Sequence, residues 1–482
     1  MEGLVGGKYR PLSSDKIGRI HESSLRVLQE VGVKVELPEA LDVFEKAGAV
    51  VDREQSRVRI RSKLVEQALE SAPSSVVLCG RDPKHDLRLE GARVHMGTGG
   101  AAVNVVGLDS PEARPGSLDD IAKLARLVEG LENVHFFVRP CTAQDVEPER
   151  LAVNEFYASL SGTTKHVMGA AYTVQGAREV IEMASMIAGG EDALRSRPFV
   201  SFITSWMVSP LTFESDTTEI LMEVVGQGIP VALSAAPMAG STSPITMAGT
   251  LTQLHAEELS GLVFTQLLRP GAPVLYGGIP GMADMHDLSY KAGGVEFGLM
   301  NAAISQLSQY IGVPNYCSAG ITEANIPSIQ AIYEKTFSIC QVALAGGNYI
   351  HHAAGVLESL KTVDYGQFVI DNEIIGMALK MLRGIGVDED RIAFDEIASV
   401  GPGGNFVAQE HTLEHMRTEF LEPMLVSREE RAAADSPRDH AHADILESAR
   451  QRAARIVEAA PPSTVPASID ESIRSRFGIT LA

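Results

Sequence analysis

The sequence predicts an α/β protein whose core is a (β/α)8 TIM barrel, with a small N-terminal α+β extension and C-terminal helices. The chain has 482 residues, enough for one large barrel with additions. From about residue 92, short β-prone runs alternate with amphipathic helical stretches, and glycine or proline separates them. Eight such runs can be counted, which favours a closed barrel because open parallel sheets usually have fewer strands.

The eight predicted strands start roughly 31 to 43 residues apart, a spacing that leaves room for one helix after each strand. They cover residues 93–96, 134–138, 166–170, 199–205, 230–235, 273–277, 315–319 and 349–353. The first run is followed by GTGGAAVNVVGLDS, which has the character of an extended loop rather than a helix.

Four regions follow from this pattern. Residues 1–90 mix short helical and β-like stretches and form the N-terminal α+β extension, and residues 91–365 form the catalytic barrel. Residues 366–430 contain helices that complete and pack on the barrel, with helical patterns at 368–382 and 411–420. Residues 431–482 are predicted to form an exposed helix, at 435–459, followed by a tail.

Composition excludes several functional classes. Hydrophobic residues make up 45% and charged residues 21%, and no run approaches 18 apolar residues, which is typical of a soluble globular protein. The start of the chain lacks the basic and apolar regions of a signal peptide, so we expect a cytoplasmic protein. A net charge of -21 argues against nucleic-acid and membrane partners. The four cysteines, at positions 79, 141, 317 and 340, form no CxxC pair and are expected to be reduced.

Six separated stretches are similar to the trimethylamine methyltransferase (MttB) family and occur in the family's order. They are GRDPKHDLRLEG, GLDSPEARPGSLDD, GGIPGMADM, SAGITEANIPSIQA, GGNYIHHAAG and GPGGNFVAQEHTLEHMRTE. The resemblance spans nearly the whole chain and implies methyl transfer from a methylated amine to cob(I)alamin on a cognate corrinoid protein. The nearest string to a cobalt-binding DxHxxG signature, DMHDLS at 284–289, lacks the final glycine, so the cobalamin is expected on the partner. We expect the chain itself to form a homo-oligomer and to hold no metal.

Named members of the family use pyrrolysine, whereas the segment after the seventh predicted strand reads Ala319, Gly320, Ile321, Thr322, Glu323 here. Without that electrophile a tertiary amine is a poor leaving group, but a quaternary ammonium already carries the charge that departure neutralises. The resemblance therefore implies a member of the glycine betaine methyltransferase type, acting on glycine betaine or a related betaine. Proline betaine, carnitine, choline, trimethylamine and a non-catalytic betaine-binding barrel remain alternatives.

Candidate binding residues follow the predicted strands, because barrel active sites lie at the carboxyl ends of strands. A trimethylammonium group favours aromatic faces through cation–π attraction. The aromatic candidates are Tyr172, Trp206, Phe213, Tyr276 and Tyr316. Ile321 and Glu323 occupy the position of the missing electrophile, and Glu323 stands where relatives more often carry aspartate.

Further candidates carry the chemistry or meet the acceptor. His351 and His352 end the eighth strand, and because alternate residues face opposite sides, at most one should point into the mouth; the family pattern favours His351. Asp284 and Glu296, after the sixth strand, are acidic candidates that could face the cation. The glycines Gly97, Gly99 and Gly100 are candidates for close approach of a corrinoid ring.

Two other enzyme classes, zinc peptidases and Schiff-base lyases, were compared with motifs in the sequence. Residues 411–415, HTLEH, fit an inverted zinc-peptidase motif, but no third ligand motif is apparent and the string belongs to the family resemblance. A Schiff-base lyase needs a lysine within a strand, whereas Lys165 only precedes one, at the wrong end.

Overall fold

The computed structural model describes residues 1–425 and 445–481 and has the mixed α/β architecture that the sequence predicts. Its main sheet contains eight parallel strands, β1 to β8: Arg93–Thr98, Phe137–Val138, Val167–Gly169, Val200–Thr204, Val231–Leu233, Val274–Gly277, Asn315–Ser318 and Tyr349–Ala354. Each strand is followed by a helix, α1 to α8: Leu118–Glu129, Leu151–Gly162, Val174–Ala188, Ser215–Gln227, Met247–Leu268, Val295–Ile311, Ile329–Ala345 and Tyr365–Arg383. Each of the eight predicted runs overlaps one observed strand.

The strands lie in the order β1-β8-β7-β6-β5-β4-β3-β2, and the short strand Leu4–Val5 pairs antiparallel with β1. Hydrogen bonds also join β1 to β2 and to the residues just before β2. The His135 amide donates to the Met96 carbonyl at 2.7 Å, and the Thr98 hydroxyl donates to the Val138 carbonyl at 2.6 Å. β1 and β2, which stand at the two ends of this strand order, are therefore also neighbours.

The two faces of the sheet pack into different clusters. We call the face formed by Phe136, Val138, Met168, Ala232, Leu275, Tyr316 and Tyr349 the inner face. These side chains pack together with a hairpin, Ser75–Leu78 and Leu87–Glu90, through Val76, Leu78, Leu87 and Leu89. The opposite face packs against α1–α8 in the larger apolar cluster. Both faces are buried, as expected for a parallel sheet covered on each side.

The N-terminal region packs on α5 and on one loop of the main sheet. It contains helices Ser14–Arg26, Pro38–Lys46 and Ser62–Ser71, strands Val33–Val35, Val50–Asp52 and Arg57–Arg59, and a π-helical turn at Val27–Val31. Strand Val33–Val35 pairs with Thr212–Phe213, which lies in the loop after β4. This added sheet covers the loop and buries its side chains.

Other loops build small sheets at the carboxyl edge of the strands. Met238–Ala239, after β5, pairs with Gly281–Ala283, after β6, which pairs in turn with Tyr290–Lys291. The segment at 97–110, predicted as an extended loop, contains strand Asn104–Val106, and strand Ala113–Pro115 follows it. Asn104–Val106 pairs with Thr362–Asp364, which with Val356–Leu357 follows β8.

The C-terminal region differs from the sequence prediction. The helical pattern at 411–420 forms a helix only over Glu410–His415. The helix predicted as exposed is seen at Ile445–Ala459, where Ala449, Ala453 and Val457 are buried, because it packs on α8 and α1. Residues 435–444 of that prediction lie outside the described residues. In place of a tail, a further helix, Ala467–Phe477, packs on α3. No helix in the described parts of the chain is long and apolar enough to cross a membrane.

Candidate active site

Polar side chains of the inner face gather where β7 and β8 end. The Tyr316 ring stacks on the His351 imidazole with centroids 4.1 Å apart, and the Tyr316 hydroxyl lies 3.2 Å from His351 Nδ1. Both side chains are almost fully buried. Among residues 1–425 and 445–481, His351 Nε2 has no hydrogen-bond partner although it is buried. A buried polar atom without a partner is costly, so Nε2 is available to a ligand.

Burial also fixes the charge of this pair. It lowers the pKa of His351 well below its ordinary value, with His352 as a second cause. Burial raises the pKa of the Tyr316 hydroxyl, which therefore stays protonated. The centre of the inner face is neutral at physiological pH, so it offers hydrogen bonds and aromatic surface rather than charge.

A bulge places His352 beside His351. The register of β8 against β1 shifts between Ile350 and Ala354, and His352 has a positive φ of 64°. The two imidazole centroids lie 3.7 Å apart, and His352 Nδ1 lies 2.8 Å from the Ser318 hydroxyl. A Cβ on Gly99 would lie 2.8 Å from His352 Cδ2 and 2.9 Å from His351 Nδ1, so only glycine fits there. The expectation that simple alternation separates the two histidines is therefore wrong, because the bulge interrupts it.

A second polar cluster follows β2 and β3. The Arg139 guanidinium pairs with the Glu155 carboxylate of α2 at 2.9 Å and donates to the Tyr172 hydroxyl at 2.6 Å. The Tyr172 hydroxyl donates in turn to Glu155 at 3.1 Å. Glu155 is buried, and burial raises its pKa even though Arg139 opposes the shift. Tyr172 is 41% exposed, so this cluster reaches the surface at the carboxyl edge.

Helix side chains hold the segments just past several strands. In α5, Glu258 accepts from the amides of Ala235 and Gly277 at 3.0 and 2.9 Å. In α6, Asn301 accepts from the Ser318 amide at 2.9 Å, and in α8, Asp371 accepts from the Gly355 amide at 2.7 Å. These contacts fix the backbone from which the candidate side chains project.

The segment after β7 is held most tightly. Lys335, in α7, donates from Nζ to the Gly320 carbonyl at 2.6 Å and pairs with Asp371 at 3.0 Å, and both charged side chains are fully buried. Glu334 accepts from the Glu323 amide at 2.9 Å. The segment carrying Ile321 and Glu323 is thus anchored to α7 and α8.

Sequence comparison decides the family. Residues 5–477 match the family model described as trimethylamine methyltransferase (MTTB). The chain is 36% identical over 475 residues to trimethylamine methyltransferase MttB of Desulfitobacterium hafniense (strain DSM 10664 / DCB-2), covering 98% of this chain and 93% of that protein. This chain belongs to the trimethylamine methyltransferase family. It is therefore a methyltransferase, as the sequence motifs indicate.

Other relatives of the family differ in their named substrates. The chain is 33% identical over 431 residues to glycine betaine methyltransferase of Desulfitobacterium hafniense (strain Y51), covering 88% of each chain. Among solved structures, monomethylamine methyltransferase (MtmB) of Methanosarcina barkeri matches with a TM-score of 0.51 and 13% identity, covering 82% of this chain and 79% of that one. At this identity the structural likeness concerns the fold alone.

Three aromatic candidates lie away from the inner face. Trp206 and Phe213 are fully buried, 6.1 Å apart between ring centroids, because the N-terminal region covers their loop. The Phe213 ring packs against Phe44 and Phe264. The Tyr276 hydroxyl lies 2.7 Å from His255 Nδ1 of α5, so this side chain lies on the helix-covered face. Of the five aromatic candidates, Tyr316 and Tyr172 are the two that belong to the polar clusters.

The position of Trp206 gives a testable prediction. A Cβ on Gly261 would lie 2.3 Å from the Trp206 ring, which shows how closely α5 packs on the indole. We expect Trp206→Phe to lower the free energy of unfolding by about 1–2 kcal/mol through lost packing, and to leave KM for the amine unchanged. Urea unfolding and steady-state kinetics measure the two quantities. Tyr333→Phe, at an exposed tyrosine, is the control and should change stability by less than about 0.5 kcal/mol.

No observed contact brings the acidic candidates to His351; Asp284 and Glu323 lie in loops, and Glu296 lies at the start of a helix. Asp284 accepts from the His286 amide at 2.8 Å and pairs with Lys291 at 3.3 Å. The hydrogen bond from the His286 backbone amide is the main cause that lowers the pKa of Asp284. Glu296 is exposed in the first turn of α6. Glu323 Oε1 is buried and has no hydrogen-bond partner among the residues that the structure describes.

The candidate glycines have different roles in the packing. A Cβ on Gly97 would lie 2.3 Å from the Phe136 ring, and Gly99 lies against the two histidines. Internal packing therefore accounts for both. Gly100 has a φ of 126°, a conformation that favours glycine, and it is partly exposed. Of the three, Gly100 remains the candidate for contact with a ligand outside the chain.

Sequence reasoning missed Arg139, Glu155 and Glu258. A signal was present for the two acids, because each is a charged residue within a helix whose neighbours are mostly apolar or small. A carboxylate in such a helix is buried and must find partners, so it indicates a structural or functional anchor. Lys165, the lyase candidate, donates to the carbonyls of Val128, Leu131 and Val134 and so is fully used in holding the loop after α1.

Proposed function

We propose that this methyltransferase moves a methyl group from a quaternary amine to cob(I)alamin carried by a separate corrinoid protein. Glycine betaine is the proposed substrate. The observation that carries the proposal is the buried, unpartnered Nε2 of His351 beside the Tyr316 ring, among the residues described. It combines a free hydrogen-bonding atom with an aromatic surface in a neutral environment. These are the two features that a zwitterion with a trimethylammonium group and a carboxylate requires.

His351 is proposed to bind the substrate carboxylate. When the Tyr316 hydroxyl donates to Nδ1, across the observed 3.2 Å, the proton of the neutral imidazole lies on Nε2. Nε2–H can then donate to a carboxylate oxygen. The ring faces of Tyr316 and Tyr172 are the aromatic surfaces proposed for the cation.

The neutral site suits the reaction. The cationic nitrogen leaves as a neutral amine: the methyl carbon forms a bond to the acceptor's cobalt, and the electron pair of the C–N bond stays on nitrogen. A carboxylate in contact with the ammonium would stabilise the charge that is lost, and so would raise the barrier. Glu155 is neutralised by Arg139 rather than left free, in agreement with this requirement. The chain's task is to orient the methyl group toward the open carboxyl edge and to exclude water.

We further propose that the main sheet is a closed (β/α)8 barrel, with its eight strands within residues 91–365 and its eighth helix, α8, extending to residue 383. The support is the strand order, in which β1 neighbours β8, together with the hydrogen bonds from β1 to β2 and the residues before it. In such a barrel the inner face is the interior, and the substrate enters at the carboxyl edge. Residues 1–90 are then an extension that covers the loop after β4 and, through the hairpin Ser75–Leu78 and Leu87–Glu90, the inner face, while the described helices after residue 383 are C-terminal additions.

A homo-oligomer is also proposed. Several apolar side chains between residues 385 and 425 are exposed: Ile385, Val387, Phe394, Val407 and Phe420. A concentration of exposed apolar side chains in one segment is a feature of surfaces that are covered in an assembly. Light scattering on the purified chain measures the mass directly, and a monomer of 51.6 kDa at micromolar concentration contradicts the proposal.

The substrate experiment is a panel. The protein is incubated with reduced cobalamin and glycine betaine, proline betaine, carnitine, choline or trimethylamine, and the visible spectrum is followed for methylcobalamin. We expect turnover with glycine betaine and little with trimethylamine. If trimethylamine is turned over and none of the quaternary amines is, the proposal of a quaternary substrate is wrong. Binding of betaine without any methyl transfer, including with corrinoid proteins present, supports the non-catalytic alternative.

The buried histidine gives a pH prediction. Because burial lowers the pKa of His351, its imidazole stays neutral as the pH falls from 8 to 6. We therefore expect no titration of His351 in the pH profile of kcat/KM over this range. The profile is compared with that of His351→Gln. A step near pH 6.5 in the wild type that disappears in the variant would contradict the assignment.

A further inference from the structure

A cluster of metal-ligand side chains lies far along the chain from the candidate active site, in the segment after α8. His411 and His415 are one turn apart in the helix Glu410–His415, within the HTLEH string. The sequence offered no third ligand. The structure brings Asp390 to them from the helix Glu389–Ile392, 21 residues before His411.

The three side chains converge on one point. His415 Nε2 lies 2.9 Å from Asp390 Oδ2, and His411 Nε2 lies 3.1 Å from the Asp390 carbonyl oxygen. The two imidazole centroids are 4.4 Å apart. One possible ligand atom from each residue lies within 4.8 Å of the others. Ligand atoms on a tetrahedral zinc ion lie about 3.3 Å apart, given bonds of about 2.0–2.1 Å, so small side-chain rotations complete the geometry.

The neighbouring cation interacts more strongly with other acids than with this carboxylate. Arg391 pairs with Asp388 and lies 3.8 Å from Glu419, so its guanidinium is directed to other acids. The Asp390 side chain is 65% exposed, its carboxylate lies against His415, and its backbone carbonyl lies against His411. His415 Nε2 is buried and its approach to Asp390 does not form a well-aligned hydrogen bond. Among the residues described, His415 Nε2 therefore has no hydrogen-bond partner and is available as a metal ligand.

A second observation points to a stabilising ligand. From residue 383 to residue 425, all of which are described, every side chain is exposed or partly exposed, and the helices contain four to seven residues. A segment of this length without buried side chains cannot be held by its own apolar core, and small units of this kind commonly depend on a metal or another cross-link.

We propose that Asp390, His411 and His415 bind a zinc ion that fastens the segment after α8. Two imidazoles and one carboxylate form a ligand set that zinc favours, and two histidines one helical turn apart are an arrangement found in zinc sites. The ion links the helix Glu389–Ile392 to the helix Glu410–His415. Three protein ligands leave a fourth position, which water fills at this exposed site. The proposal is independent of the proposed methyl transfer.

The test is a Co²⁺ titration of full-length protein without a histidine tag, followed by displacement with Zn²⁺. Cobalt in a tetrahedral site gives strong visible bands. We expect one equivalent per chain, and loss of the bands when zinc is added. His415→Ala and Asp390→Asn should each weaken zinc binding by at least about 10- to 100-fold, since even an outer partner of a ligand has effects of that size.

Matched variants separate this site from other histidines and acids. Glu414→Gln lies in the same helix but supplies no proposed ligand, and His286→Ala removes an exposed histidine elsewhere. Both should bind like the wild type. Limited proteolysis gives a second readout, because zinc should protect residues 383–425 in the wild type but not in Asp390→Asn. Absence of bands at one equivalent, or unchanged binding in Asp390→Asn and His415→Ala, overturns the proposal.

Discussion

Replacement of His351 by phenylalanine is expected to lower kcat/KM for glycine betaine by about 10- to 100-fold, because a hydrogen bond to a charged group contributes about 1.5–3 kcal/mol. Phenylalanine keeps the ring that stacks on Tyr316 but has no Nε2. The loss is therefore one of hydrogen bonding rather than packing. Steady-state kinetics with saturating acceptor measure it.

A comparison of substrates identifies the group that His351 binds. Choline has the same trimethylammonium group as glycine betaine but no carboxylate, so its kcat/KM should change little in His351→Phe. His351→Gln restores a donor near the Nε2 position and should recover part of the betaine activity. Equal losses for both substrates would show that His351 acts on the cation or on the fold. Full activity of His351→Phe with glycine betaine would show that His351 does not bind the substrate.

Replacement of Lys335 by methionine is expected to cost about 3–5 kcal/mol of unfolding free energy, the usual effect of leaving one member of a buried ion pair alone. Both Lys335 and Asp371 are fully buried and lie 3.0 Å apart. Burial lowers the pKa of Lys335 and raises that of Asp371, so desolvation exceeds the gain from pairing for each group. In the variant, Asp371 would lose its charged partner and keep only the hydrogen bonds that it accepts from the Gly355 amide and the Gln367 side chain. Urea unfolding measures the difference.

The Lys335–Asp371 ion pair also predicts that a second substitution restores stability to Lys335→Met. In Lys335→Met/Asp371→Leu no buried charge remains, so most of the lost stability should be recovered. The Gly320 carbonyl would still lack its Nζ donor, and the segment after β7 should be less ordered. Activity should therefore recover less than stability. A double variant as unstable as Lys335→Met would show that the pair is not the source of the effect.

The positions of the strands could be predicted from the sequence because each β-prone run is short and is bounded by glycine, proline or polar residues. The direction of their side chains could not. Strand Val274–Gly277 is buried on both faces, so its hydrophobic pattern does not distinguish Tyr276, on the helix-covered face, from Tyr316 of the inner face. Periodicity carries this information only when one face is exposed.

Two features of the candidate site depend on contacts between distant segments. Trp206 and Phe213 follow a strand, as predicted, but strand Val33–Val35 pairs beside them and buries the loop. His352 follows His351 in sequence, but the bulge with positive φ returns it to the same cluster. Neither the added sheet nor the bulge has a local sequence signal. Asp390 likewise meets His411 only through the fold of the segment.

The most direct test of the central claim follows the methyl group itself. Glycine betaine labelled with ¹³C in its methyl groups is incubated with the protein and stoichiometric cob(I)alamin, and the products are followed by NMR. We expect labelled methylcobalamin and dimethylglycine to appear in a one-to-one ratio, much more slowly with His351→Phe. If the label stays in glycine betaine, while trimethylamine transfers its methyl group under the same conditions, the account is wrong.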